Sequence, residues 1–351
     1  MMSFPRIAAV SLAVGLASCG QASQSTSPAP DPQLPEVVAT TSVLCDLTQQ
    51  IAQETVELTC LMGAGEDPHT YQAKPSDRQA IDNADLILYG GYGFAPALIG
   101  LVEASSNAAP KVAVYEAAVP EPLMGAKHDH SHDSDHDHSH DHSHDHSHDH
   151  AHDQAESPEA APVPDPHVWH DALKDGAIAE VIGIHLEQVN PSQADFYQAN
   201  ATALADQFAQ LHRWIQSQVD TIPPDSRKLV TTHDSFRYFA EAYGIDVAGA
   251  LSGLSTAEQP SAAILTNLVE QVKQAQVPAI FAESTTNPDL INAVARDASV
   301  KVAERPLLVA GPEAETDAVT TQAMLATNTC TIVNALGGSC DRADAPVDLA
   351  P

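Results

Sequence analysis

The chain has 351 residues, 47 of them acidic and 15 basic, for a formal charge of −32 at pH 7. That balance repels phosphate backbones and excludes a nucleic-acid partner. Much of the acid is concentrated in one segment, so the folded parts carry less charge than the total suggests.

At the N terminus Arg6 precedes an apolar run from Ile7 to Leu16, followed by Ala17-Ser18-Cys19. The run is too short to span a bilayer and reads as a signal peptide over residues 1–18. Small residues before a cysteine resemble the bacterial lipobox. The expectation is a mature chain that begins at Cys19 and is held to a membrane of the cell envelope by acyl chains. Residues 19–36, rich in Ser, Gln, Thr and Pro, read as a flexible tether. About 310 residues follow, enough for two domains.

Val37-Val38-Ala39-Thr40-Thr41 reads as a strand and Val43 to Gln53 as a helix. Thr55 to Leu61, Leu86 to Tyr89 and Val112 to Val114 read as further short strands. Strand–helix alternation predicts an α/β lobe, over residues 37–190, with a mostly parallel sheet. Within it, residues 124–165 interrupt the pattern as a disordered insert. Histidine stands at every second position there except Ser134: His128, His130, His132, His136, His138, His140, His142, His144, His146, His148, His150 and His152. Asp and Ser fill most alternate positions, so there is nothing apolar to bury, and the insert reads as a weak transition-metal-binding loop. Pro191 then opens a helical pattern reaching Val219, with Phe196, Leu204, Phe208, Leu211 and Ile215 at helical spacing. At 1.5 Å per residue it spans roughly 40 Å, longer than one lobe needs, and residues 191–222 read as a linking helix. Lys228 to Thr232, Ile245 to Ala250, Ala279 to Ala282 and Val300 to Ala303 read as the strands of a second, similar lobe over residues 223–345.

Besides Cys19 there are Cys45, Cys60, Cys330 and Cys340. In an exported chain an even count favours disulfides, and proximity favours Cys45 with Cys60 and Cys330 with Cys340 among three possible pairings. A four-cysteine zinc site is the rival reading, and CxxC spacing is absent.

Outside the insert, three histidines sit near strand ends or motif-like runs. His69 lies in Asp67-Pro68-His69-Thr70-Tyr71, His167 in Asp165-Pro166-His167-Val168-Trp169, and His233 directly after an apolar strand. Open α/β sheets bind ligands beyond the carboxyl ends of their strands, and a metal held by His69 and His233 would close a cleft between lobes. His170, His185 and His212 lack such context.

Pro68-His69-Thr70-Tyr71 with Pro75-Ser76-Asp77 resembles the PHxYxxxPSD signature of metal-binding receptors of ABC importers. Asp165 to Trp169 is similar to their DPHxW motif. His233, Phe236, Tyr238, Phe239, Tyr243 and Gly244 are similar to their HxxFxYFxxxYG block, and Glu283 to Pro288 to a fourth, structural segment. The resemblance is closest to the ZnuA-like zinc-uptake receptors and covers nearly the whole chain from Val37. It implies two lobes bridged by a backbone helix, His69, His167 and His233 as metal ligands, and delivery of the metal to a membrane permease by a monomeric receptor. Manganese-type relatives commonly carry a carboxylate where this chain has His233, whereas three imidazoles favour zinc. Many relatives supply an aspartate from a segment like PLYSDS; Pro306 to Ala310 has no carboxylate, which leaves water, or Glu66 near His69, for the fourth position. A hydrolytic zinc site would also present three histidines and a water. No HExxH is present, however, and ligands from three separated motifs suit capture and release better than catalysis.

Overall fold

The computed structural model describes residues 34–125, 162–257, 260–313 and 316–347. The expected signal peptide, Cys19, most of the tether and all twelve insert histidines lie outside the described residues.

The first lobe contains β1 (Glu36–Ala39), α1 (Ser42–Ala52), β2 (Glu57–Cys60), α2 (Pro75–Asn83), β3 (Leu86–Tyr89), α3 (Pro96–Ala104), β4 (Lys111–Ala113) and α4 (Val114–Ala118). Its four strands are parallel, in the order β2-β1-β3-β4. Central strands of such sheets are covered on both faces, which is why Val37-Val38-Ala39 and Leu86-Ile87-Leu88 are apolar without alternation and fully buried. Thr41 ends the first strand run and caps α1, its hydroxyl accepting from the Leu44 amide.

The insert is narrower than the sequence suggests. β5 (Met124–Gly125) and β6 (Val163–Pro164) pair antiparallel and form a neck. Asp165 is buried, with its amide donating to Leu123 O at 2.7 Å. The expected boundaries of 124–165 therefore give up their ends to ordered structure, because backbone groups there find partners in the lobe.

Two helices follow, α5 (Ala172–Val189) and α6 (Ala194–Val219). Pro191–Gln193 forms a 3-10 turn, so the long helix starts three residues later than its apolar pattern. Leu204, Phe208, Leu211, Ile215 and Val219 line its buried face at helical spacing. α5 lies along it, and a Cβ at Gly183 would come within 2.8 Å of Ala201 Cβ, so glycine sets the close approach.

The second lobe contains β7 (Lys228–His233), α7 (Arg237–Tyr243), β8 (Asp246–Ser252), α8 (Ala262–Ala275), β9 (Ala279–Ile280), α9 (Asp289–Ala298) and β10 (Lys301–Val302). β7 pairs with β8 and β9 with β10, all parallel, and Phe281 N donates to Val230 O at 2.9 Å to set β9 beside β7. The spatial order β8-β7-β9-β10 thus repeats that of the first lobe. α6 joins the two.

The last helix, α10 (Thr321–Ala335), returns to pack on α6 and α1. Asp46 of α1 accepts from Thr321 N at 2.7 Å and Thr321 Oγ1 at 2.6 Å. One apolar core consequently runs from Leu44 through Trp169 and Phe208 to Phe239, Phe281 and Met324. Disulfides join Cys45 to Cys60 and Cys330 to Cys340, with Cα–Cα distances of 5.6 and 5.0 Å, which removes the four-cysteine zinc reading. No helix among the described residues is long and apolar enough to cross a membrane.

Candidate metal centre

His69 sits in the loop between β2 and α2. Tyr71 braces that loop: its hydroxyl lies 3.0 Å from Asp77 Oδ2 and 3.1 Å from Leu61 O. Asp67 turns the chain at the histidine, Oδ1 accepting from His69 N at 3.0 Å. Its other oxygen accepts from Thr256 Oγ1 of the second lobe at 2.5 Å, a direct bond across the cleft.

His167 lies before the 3-10 turn that leads into α5. Asp165 Oδ1 accepts from His167 N at 3.0 Å and lies 2.8 Å from Nδ1. His233 ends β7, and its Nδ1 lies 2.5 Å from Glu283 Oε2. Glu283 also accepts from Ser235 Oγ at 3.1 Å, which fixes the carboxylate that fixes the ring. Carboxylates on the two Nδ1 atoms keep the protons there and leave Nε2 as the free lone pair.

The Nε2 atoms meet: His167 Nε2 is 3.3 Å from that of His69 and 3.3 Å from that of His233. With their protons on Nδ1, His167 and His233 turn two lone pairs toward each other, a crowding that a cation relieves. Burial, then the neighbouring imidazoles, hold the His69 and His167 protonation equilibria well below the usual histidine range. Burial is the largest influence on His233 and opposes its charge, but Glu283, with Asp67 and Asp234, together shift that ring upward. Burial pushes the Asp165 carboxyl up to about 7. Among the described residues, His69, His167 and His233 are the one group of three or more ligand-type side chains whose donor atoms converge, all within 4.8 Å. They surround a cavity of about 10 Å³, with Phe94 and Val309 among its walls.

Glu66 does not reach this group. Its Oε2 accepts from Gly63 N at 2.6 Å and its Oε1 pairs with Lys74 at 3.4 Å. His170 is buried and stacks on Phe236 at 4.2 Å, His185 lies in α5, and His212 lies in α6 beside Tyr243. The twelve insert histidines lie outside the described residues.

Residues 37–335 match the family model of the zinc-uptake complex component A, periplasmic, ZnuA. The chain belongs to the ZnuA family. The zinc-binding protein TroA of Treponema pallidum is 30% identical over 280 residues, covering 80% of each chain. The manganese-binding lipoprotein MntA of Halalkalibacterium halodurans is 29% identical over 294 residues, covering 84% of this chain and 86% of its own. A solved structure of the Treponema pallidum periplasmic zinc-binding protein TroA superposes with a TM-score of 0.72 at 29% identity, over 86% of this chain and 99% of that one.

As a ZnuA-family member the chain is a metal-binding receptor of an ABC importer and not an enzyme. Family motifs in the sequence point to the three histidines. They do not point to Glu283 as the partner of His233. Glu283 stands in the segment Glu283 to Pro288, which matches the family only as a structural element, at the end of the apolar strand Ala279 to Ala282.

Proposed function

We propose that the protein is a high-affinity zinc receptor of the cell envelope that hands zinc to an ABC-type permease. His69, His167 and His233 hold the ion through Nε2, and Glu66, already bound to Gly63 and Lys74, is not a ligand. The observation that carries the zinc reading is the donor set: three imidazoles converge, and no carboxylate among the described residues joins them. Nitrogen-only sites favour zinc over manganese, which prefers hard oxygen.

A lipidated Cys19 would tether a monomeric receptor to the membrane, in keeping with relatives named as lipoproteins. Residues 37–190 and 223–345 serve as the two lobes about a linking segment, and the insert serves as a weak zinc reservoir.

Manganese is the competing cargo, because relatives of similar identity are named for it. Competition calorimetry with zinc and manganese decides between them. Zinc is expected to displace manganese by orders of magnitude, and His233→Glu to narrow the gap. Preference for manganese by the unaltered protein would overturn the zinc reading.

A further inference from the structure

The polar lining of the cleft cavity consists of the three histidines, Asp67 and Thr285. Both oxygens of Asp67 are committed, one to the His69 amide and one to Thr256. Thr285 differs. Its Oγ1 is shut off from solvent and has no hydrogen-bond partner among the described residues. Burying a hydroxyl without a partner is costly, so a site that keeps one is arranged for something that arrives. The remaining walls near it, Val309 and Ala310, offer no side-chain ligand.

Three imidazoles leave a tetrahedral ion one position short. Asp67 lies outside the converging donor group and already holds His69 N and Thr256, Val309 and Ala310 are apolar, and Thr285 is the polar side chain of the lining whose hydroxyl has no partner among the described residues. We propose that Thr285 is a positioning residue for the cargo: its hydroxyl hydrogen-bonds the solvent oxygen that completes the coordination of an ion on His69, His167 and His233. This rests on the three-histidine reading of the cleft and adds what closes it. The loaded site then keeps the ion's charge uncompensated by a fourth protein ligand, and the fourth ligand can leave without moving the backbone.

The test uses the full chain, with a competing chelator so that only the tightest zinc site is read, and with half an equivalent of cobalt(II) to report coordination by visible absorption. Thr285→Val removes the hydroxyl at nearly constant volume; Thr285→Ser restores it. The valine variant should bind zinc about tenfold more weakly, the worth of one hydrogen bond, and shift the cobalt bands, while its metal-free melting temperature stays put. The serine variant should match the parent in both readings. Parent-like zinc affinity and cobalt bands in Thr285→Val would overturn the role of Thr285 and leave the three-histidine site standing. Equal losses in the valine and serine variants would show packing in place of hydrogen bonding and also overturn it. A His167→Ala protein that keeps the tightest site would overturn the underlying reading instead.

Discussion

Each cleft histidine is oriented by different means, and the differences can be measured. Glu283 holds His233 through a 2.5 Å contact to Nδ1, and is itself held by Ser235. Replacing it with alanine frees the ring to rotate and removes the acceptor that keeps the proton on Nδ1. Zinc affinity of the tightest site should fall about 10- to 100-fold, the usual cost of losing such a support, with the far-UV dichroism unchanged. Asp175, in the first turn of α5, carries a different burden. Its carboxylate is completely buried and neither oxygen has a partner among the described residues. Burial, then the nearby Asp171 and Asp46, raise its proton affinity well above the ordinary value. Below about pH 4 both folded and unfolded chains hold the proton, so Asp175 is harmless there. As pH climbs, the unfolded chain releases the proton first and native stability declines until the raised folded value is passed. Asp175→Asn should therefore raise the melting temperature by roughly 3–6 °C at pH 8 and hardly at all at pH 4. Equal shifts at both pH values would contradict this account.

At the scale of elements, the neck of the insert makes it separable. Tyr238 OH meets Leu123 N at 2.9 Å, and Arg237 donates to Met124 O at 2.7 Å, so α7 of the second lobe grips both β5 and the turn into it. Replacing residues 126–162 by Asn-Gly should close β5 and β6 as a hairpin. The expected result is fewer zinc ions bound per chain, with the tightest affinity and the melting temperature unchanged; loss of the tightest site would mean that the insert supplies a cleft ligand. The elements also differ in how visible they were beforehand. β1, β3 and β7 are short apolar runs between polar turns, and α6 has apolar residues at helical spacing, so both were readable. α5 was legible only as a helical stretch about His185, without bounds, because its apolar residues surround the helix and Gly176 and Gly183 interrupt it. α10 was hidden. Thr327, Asn328 and Thr329 are poor helix formers, and they lie buried there because Asn328 answers the Leu308 backbone and the threonines bond back to the preceding turn. The histidines were legible because each sits in a local motif; Glu283 and Thr285 were legible only as parts of a structural segment, since their roles depend on which strand lies beside β7.

For the molecule as a whole, the shared core matters more than the count of lobes. Residues of both lobes and of α6 belong to one apolar cluster, and each lobe adds a smaller one of its own, around Ile87 and Leu98 in the first and Val230 and Leu268 in the second. Calorimetry of the metal-free protein should show one cooperative transition, and two resolved transitions would count against a shared core. The return of α10 has a consequence for how the chain is made. Val309 O accepts from the Trp169 indole at 3.1 Å, Ala310 O accepts from Ser42 Oγ at 2.7 Å, and Asp46 waits for Thr321. The first lobe is emitted early by the ribosome, yet Ser42, Asp46 and Trp169 lack these partners until residues 309–321 have been made. A nascent chain halted before residue 306 would leave Ser42, Asp46 and the Trp169 indole without these partners, with a finished sheet and an unfinished surface. Assembly of this receptor is therefore timed by the segment from Val309 to Thr321, and the lobe that begins first is completed late.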